Sequence, residues 1–118
     1  MVRLEQMAEA ALGGDALVLR ALAQEWLREN PLIINSVPPT SNDADILATA
    51  AALVELLALR TQQPPPSWTA RIGPVRNPTY LVKAARTMPR LRQSCAEESP
   101  LPLRRRGLFA PPDFLSFA

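Results

Sequence analysis

The distribution of proline is the feature that most limits how this chain can fold. Three prolines lie in residues 1–60 and ten lie in residues 61–118. Proline has no amide hydrogen to donate, and it disfavours helical geometry in the residue before it. The first half of the chain can therefore be helical throughout, whereas the second half is limited to short helices and extended segments. A chain of 118 residues has the size of one small domain, so we predict a single helical domain over residues 1–118.

Apolar residues recur at intervals of three and four in the first half, which predicts two amphipathic helices. The first helix covers residues 3–12 and ends at Gly13-Gly14, since glycine often follows the last helical residue. Asp15 is placed to cap a second helix over residues 16–30, which a proline then terminates.

A third helix is the most strongly predicted element. Ser41-Asn42-Asp43 offers capping side chains, and the helix body covers residues 46–59. Only Thr49 and Glu55 are polar in that body. A helix that is apolar nearly all round is buried on most of its sides. We therefore predict that it is the central core helix. The second half of the chain or a partner should cover the part of its surface that the first two helices do not contact.

Prolines divide the second half into short segments. A stiff, proline-rich linker occupies residues 61–78. Asn77-Pro78 at its end predicts a fourth helix over residues 79–87, because a capping residue followed by proline commonly begins a helix. A further helical stretch is predicted from residue 89 to residue 95 or 96.

The C-terminal tail, residues 100–118, is too apolar for a solvated segment and too interrupted by proline for a long helix. We expect it to run extended through Pro111-Pro112, with Phe109 and Phe114 as apolar anchors. It can cover the third helix of its own chain, bind a partner, or do both. The predicted fold class is all-α: a small helical bundle of three to five helices with this proline-rich, mostly extended C-terminal segment packed on it.

Charge is split between the two halves. Residues 1–60 carry four arginines and eight acids, for a net −4, while residues 61–118 carry eight arginines, one lysine and three acids, for a net +6. The two halves can attract each other, or the basic half can face an acidic partner. This basic surface suits a nucleic acid or an acidic protein groove, with a solvated face as the alternative. Its members are Lys83, Arg86 and Arg90, at helical spacing, and then Arg92, Arg104, Arg105 and Arg106.

The composition excludes several classes of function. The chain has no histidine and a single cysteine, Cys95, so it lacks an imidazole base, an imidazole metal ligand and a cysteine zinc cluster. Its carboxylates show no metal-ligand spacing, and it has no glycine-rich phosphate loop. We therefore expect no enzyme activity, no catalytic or metal site and no cofactor. The N-terminus lacks a signal-peptide pattern, and no apolar stretch reaches the ~20 residues of a membrane span, so we expect a soluble cytoplasmic protein without membrane contact.

Three stretches carry a resemblance to a known family: residues 50–60, the element Pro66-Ser67-Trp68-Thr69, and residues 100–110 in the tail, whose most specific piece is the run of residues 105–109. Over roughly residues 50–118 the chain resembles the C-terminal part of bacterial helix-turn-helix regulators of the Xre type, some of which look like antitoxins of toxin–antitoxin operons. Residues 1–45 are too short and too acidic for an Xre DNA-binding domain. The resemblance therefore implies the module that contacts a partner protein, and DNA binding is not carried over.

Two functions remain open from the sequence. The first is a non-enzymatic, antitoxin-like protein-binding module that binds or neutralises a partner protein, such as a toxin encoded nearby, through the apolar third helix and the basic, aromatic tail. The residues expected to bind this partner are Trp68, Lys83, Arg86, Arg90, Arg104, Arg105, Arg106, Phe109 and Phe114.

The alternative is a small DNA-binding transcriptional regulator. It would use a helix-turn-helix around Gly13-Gly14 together with the basic second half of the chain. Arg20, Gln24 and Arg28 would then lie on one helical face, where arginine and glutamine can read base edges. Either protein could also form a homo-oligomer.

Overall fold

Five α-helices provide most of the regular structure in a computed structural model that describes residues Met1–Phe117. They are α1 (Leu4–Leu12), α2 (Ala16–Glu29), α3 (Ala44–Arg60), α4 (Pro89–Glu98) and α5 (Leu101–Arg104). Three 3-10 helices cover Ile33–Asn35, Ser67–Arg71 and Lys83–Arg86, and two short strands, β1 (Thr79–Tyr80) and β2 (Leu108–Phe109), pair in parallel. The predicted small helical fold is confirmed. Within the described part of the chain, none of the helices has both the length and the hydropathy needed to cross a membrane.

α1 and α2 form a hairpin whose turn depends on glycine. Gly14 has a φ of +77°, in the left-handed region that glycine adopts readily, and a Cβ at this position would lie 2.6 Å from the side chain of Lys83. Asp15 follows, but its side chain does not cap α2 as predicted. The carboxylate lies 3.3 Å from the Lys83 ammonium nitrogen instead. The close passage of residue 83 therefore explains both the glycine and the orientation of Asp15.

α3 is the buried centre of the fold, as its apolar sequence predicts. It begins two residues before the predicted body and ends one residue after it, and the carboxylate of Asp43 accepts hydrogen bonds from backbone N–H groups of its first turn. Ten of its residues are buried, and Leu53 and Leu57 are fully inaccessible to solvent. α1, α5 and the Ser67–Arg71 helix pack against it. The second half of the chain therefore supplies much of the cover that the first two helices leave missing.

The prediction of a fourth helix over residues 79–87 is wrong. Strand β1 and the following 3-10 helix occupy this segment instead. The backbone N–H groups of Thr79 and Leu81 donate to the carbonyls of Gly107 and Phe109, both at 2.9 Å. Parallel pairing with β2 thus holds the start of the segment extended, and a contact distant in sequence overrides the local helical spacing.

Proline begins a helix again at α4, where the sequence predicts one. Pro89 lies in its first turn, and the helix continues to Glu98, two residues beyond the predicted limit. The segment predicted as a linker, residues 61–78, also contains regular structure, because Ser67–Arg71 forms a 3-10 helix against α3.

The C-terminal stretch contains more short elements than the sequence analysis expects. Within residues 100–118, α5 and β2 interrupt the extended backbone, and Ala118 lies outside the described residues. Phe114 is buried. The guanidinium of Arg60, at the end of α3, donates to the carbonyls of Pro112 and Phe114 at 2.7 and 3.0 Å. The last turn of the chain is therefore attached to the end of the central helix.

Candidate functional site

The structure separates the basic residues that the sequence places on one helical face. Lys83 and Arg86 lie in a 3-10 helix and Arg90 lies in α4, so the predicted continuous face does not form. Lys83 faces Asp15, and Arg86 donates to the carbonyl of Leu12 at 3.0 Å, whereas Arg90 is exposed. Part of the attraction between the acidic and basic halves is therefore satisfied within the molecule.

The three aromatic residues expected at the partner surface make contacts within the chain. Trp68 is half-buried, and its ring N–H donates to the carbonyl of Ser36 at 3.1 Å. The ring of Phe109 packs on that of Tyr80, with 5.2 Å between the ring centroids. Phe114 is only 8% exposed. Most of the apolar surface of these aromatic side chains is therefore already covered.

Glu55 brings two of the three consecutive arginines together. Arg106 Nη1 and Nη2 lie 2.6 and 3.1 Å from the two carboxylate oxygens of Glu55, and Nη2 also donates to the carbonyl of Thr69 at 2.7 Å. Arg105 Nη2 donates to the same carboxylate at 2.8 Å. The Arg106 side chain is 6% exposed and that of Arg105 is 57% exposed. We call Glu55, Arg105 and Arg106 the Glu55 latch, since they join α3 to the segment after α5.

The two arginines of the latch lower the pKa of the Glu55 carboxyl group. Burial by itself raises the pKa of Glu55, but the hydrogen bonds and positive charge of Arg106, together with a hydrogen bond from Arg105, lower the pKa by more. The net result is a pKa below the ordinary value for glutamate. Glu55 therefore stays ionised at neutral pH and stays paired with the two guanidinium groups.

A groove with largely apolar walls lies beside the latch. Its volume is about 500 Å³, and it runs between the C-terminal part of α3, the proline segment before the Ser67–Arg71 helix, and α5. Leu59 and Leu101 are 58% and 60% exposed. We call it the proline groove, and its main lining residues are Leu59, Pro65, Pro66, Ala70, Leu101 and Arg105.

A second, smaller cavity meets the proline groove at the latch. It has a volume of about 290 Å³ and is lined by Ile72, Gly73 and Pro74 in addition to the two arginines of the latch. Glu55, Ala70 and Arg105 line both concave surfaces. Arg105 therefore stands between the two, with more than half of its side chain accessible to solvent.

The face of α2 that could read DNA is largely engaged in contacts within the chain. The Arg20 guanidinium donates to the carbonyl of Ser116 at 3.0 Å and lies 5.1 Å from the centroid of the Phe117 ring. Arg28 forms an ion pair with Glu25. To bind base edges, Arg20 and Arg28 would have to give up these contacts within the chain.

The environment of the single thiol does not favour a nucleophilic role. Cys95 is buried in α4, and burial raises the pKa of its thiol above the ordinary value, which disfavours the reactive thiolate. In the part of the chain that the structure describes, no three acidic, cysteine or histidine side chains are grouped to hold a metal ion.

Sequence reasoning missed three residues of the site: Glu55, Leu59 and Leu101. Glu55 had a usable signal, because a lone acid in an otherwise apolar helix needs a partner, and three consecutive arginines follow later in the chain. Leu59 and Leu101 had no such sequence signal, since nothing in the sequence distinguishes an exposed leucine from the many buried ones.

The chain was compared with family models, curated proteins and solved structures. No family model, no curated protein and no solved structure matches the chain.

Proposed function

We propose that this chain is a non-enzymatic protein-binding module that binds or neutralises a partner protein in the cytoplasm, in the manner of an antitoxin whose toxin is encoded nearby. The resemblance of residues 50–118 to the C-terminal part of Xre-type regulators supports the antitoxin-like assignment. The partner surface differs from the one expected from sequence. Most of α3 is covered by its own chain, so this helix contributes chiefly Leu59.

The observation that supports the proposal is the pair of exposed leucines in the proline groove. Single exposed leucines are normal on soluble proteins, but Leu59 and Leu101 line one concave surface. Burying a leucine stabilises a complex by ~1.5–3 kcal/mol, so an apolar segment gains substantially by filling the groove. Apolar surfaces bordered by polar groups commonly mark sites where another protein binds.

The residues expected at the partner surface divide into three groups. Trp68, Phe109, Phe114 and Arg106 are buried or half-buried, and they contribute to the packing of the fold. Arg105 is exposed in the groove and can meet an acidic partner directly, while Arg104, Lys83, Arg86 and Arg90 are exposed but do not line the groove. The proposal therefore assigns binding to the proline groove with Arg105.

The test uses the product of the neighbouring gene. The two purified proteins are mixed, and the complex is measured by size-exclusion chromatography with light scattering and by calorimetry. We expect a complex of fixed stoichiometry and, if the neighbour arrests growth when expressed alone, relief of that arrest on co-expression. Absence of a complex, together with binding to duplex DNA that weakens steeply with salt, would overturn the proposal in favour of a DNA-binding regulator.

A further inference from the structure

We propose that the proline groove binds a segment of the partner protein in which an apolar side chain and a carboxylate lie about one helical turn apart. The inference rests on the proposed function, because it names the chemistry of the partner at that site. The occupant is a protein segment that carries negative charge beside its apolar anchor.

Two pairs of residues set the spacing of this binding surface. Glu55 and Leu59 are four residues apart on α3, and Leu101 and Arg105 are four residues apart along α5 and its C-terminal cap. Residues four apart lie on one helical face, with Cβ atoms about 5–6 Å apart. All four side chains line the proline groove. Because Arg105 bonds to Glu55, the charged members of the two pairs come together at one end, and each leucine lies one turn away from its charged neighbour.

The charged end of the groove has an excess of positive charge. Two guanidinium groups face the single carboxylate of Glu55, which leaves one net positive charge. Glu55 is the only acid among the described residues that line the groove. It accepts a hydrogen bond from one nitrogen of Arg105, and the other N–H groups of this exposed guanidinium have room for a second acceptor. A carboxylate from the partner would balance the charge through a charge-assisted hydrogen bond.

The walls of the groove favour a protein over a nucleic acid. The exposed side chains of Leu59 and Leu101 in its lining offer nothing to a phosphate group. None of the described residues that line it is aromatic, so it lacks the platform on which unpaired bases stack. A nucleic-acid backbone gains affinity from several cations at once, whereas Arg105 is the one exposed cation in this lining.

The test uses the full chain labelled with nitrogen-15 and two helical peptides built mainly of alanine. One peptide carries a leucine and a glutamate four residues apart, and the other carries lysine in place of the glutamate. We expect the acidic peptide to shift the amide resonances of Leu59, Leu101 and Arg105 in a heteronuclear NMR titration. It should bind about tenfold more tightly than the basic peptide, as expected for one hydrogen bond to a charged group.

Three variants and a matched control locate the site. Leu59→Ser and Leu101→Ser should each weaken binding of the acidic peptide about fivefold or more, the loss typical of a residue that matters in an interface. Arg105→Gln should remove the preference for the acidic peptide over the basic one. Leu32→Ser is the control, because Leu32 is 62% exposed but does not line the groove, and its affinity should equal that of the wild type. Circular dichroism of each variant verifies that the fold is kept.

The outcomes separate this inference from the proposed function. Equal binding of the two peptides, unshifted resonances at the three groove residues, or displacement of the acidic peptide by duplex DNA would each overturn the inference. If the neighbouring gene product binds the wild type and the three groove variants equally well, the protein-binding function stands and the groove assignment fails. If the peptides behave as expected but that gene product does not bind, the groove chemistry stands and the antitoxin-like function fails.

Discussion

The helical first half, residues 1–60, and the proline-rich second half, residues 61–117, satisfy their backbone carbonyls with different donors. In the first half, α-helices of 9, 14 and 17 residues bond mainly to themselves. In the second half, the α-helices have only 10 and 4 residues, and many carbonyls lie outside them. Five guanidinium groups donate to six carbonyls of that half: Arg106 to Thr69, Arg86 to Tyr80, Arg104 to Glu97, Arg60 to Pro112 and Phe114, and Arg20 to Ser116.

This difference changes what the arginine content means. The chain has twelve arginines and one lysine, and the sequence alone leaves open whether the basic second half meets the acidic first half, an anionic partner or solvent. A guanidinium offers five N–H donors in one plane, so it can bond a carboxylate and a carbonyl at the same time, as Arg106 does. Part of the arginine content therefore holds the backbone of the second half in place, whereas an exposed guanidinium such as that of Arg105 is also accessible to a partner.

The largest expected effect tests the helical half. Leu53→Asp places a carboxylate without a partner in the middle of α3, where Leu53 is fully buried. An uncompensated buried charge costs roughly 3–5 kcal/mol, a large part of the ~5–15 kcal/mol total stability of a small domain. Leu59→Asp is the matched control on the same helix, because Leu59 is 58% exposed, and it should melt close to the wild type. Equal melting temperatures for Leu53→Asp and the wild type, measured by circular dichroism, would show that α3 is not the core.

The next effect tests how far the second half depends on single side chains. Arg106→Gln leaves the Thr69 carbonyl without its charged donor and takes away the buried partner of Glu55, so it should cost about 3 kcal/mol. Arg105→Gln removes an exposed member of the same latch and should cost less than about 1 kcal/mol. Urea unfolding of both variants gives the comparison. Similar losses in the two variants would contradict the division into a buried and an exposed arginine.

The same difference between the halves decides what could be predicted from sequence. The bounds of α1, α2 and α3 follow from apolar spacing and caps to within two residues, because the hydrogen bonds of a helix are local. Strand β1 could not be predicted in this way. The acceptors for Thr79 and Leu81 are the carbonyls of Gly107 and Phe109, and their positions depend on how the rest of the second half folds.

Only the charged part of the site, the ion pairs of Glu55, could be predicted from the sequence. The run of three arginines is conspicuous, and Glu55 is one of two polar residues in an apolar helix, so an ion pair between them could be anticipated. Which arginine is buried depends on the turn after α5, where Gly107 has a φ of +81°. The exposure of Leu59 and Leu101 depends on where the proline segment packs, and the spacing of apolar residues carries no information about that.

The third effect concerns the attachment of the C-terminal segment to the helical half. Phe114→Ala removes a nearly buried ring and should cost ~1.5–3 kcal/mol. Arg60→Gln keeps that ring but removes the donor to the Pro112 and Phe114 carbonyls, and should cost ~1–2 kcal/mol. Phe117→Ala, at a half-buried ring, is the comparison variant and should cost less than Phe114→Ala. Unchanged melting temperatures for both Phe114→Ala and Arg60→Gln would mean that the segment is a passive extension.

The smallest effect concerns acid pH, and its sign follows from the pKa of Glu55. The pKa of this carboxyl in the folded chain lies below its ordinary value of 4.5. A carboxyl whose folded-state pKa is lowered stabilises the fold at pH values above its unfolded-state pKa, and this stabilisation is lost as the pH falls through the folded-state pKa. Glu55 should therefore contribute a constant stabilisation from pH 7 down to about 5, where it remains ionised in both states.

Below pH 4.5 the free energy of unfolding of the wild type should fall more steeply than that of Glu55→Gln, which has no carboxyl to protonate at this position. Urea unfolding at stepped pH values measures the two slopes, and a carbon-13 NMR titration of the wild type measures the pKa of Glu55 directly, without any variant. The two proteins differ only at position 55, so the contributions of the other carboxylates cancel in the comparison. A Glu55 pKa of 4.5 would mean that burial cancels the effect of the two guanidinium groups, and a pKa above 4.5 would mean that ionised Glu55 destabilises the fold at neutral pH.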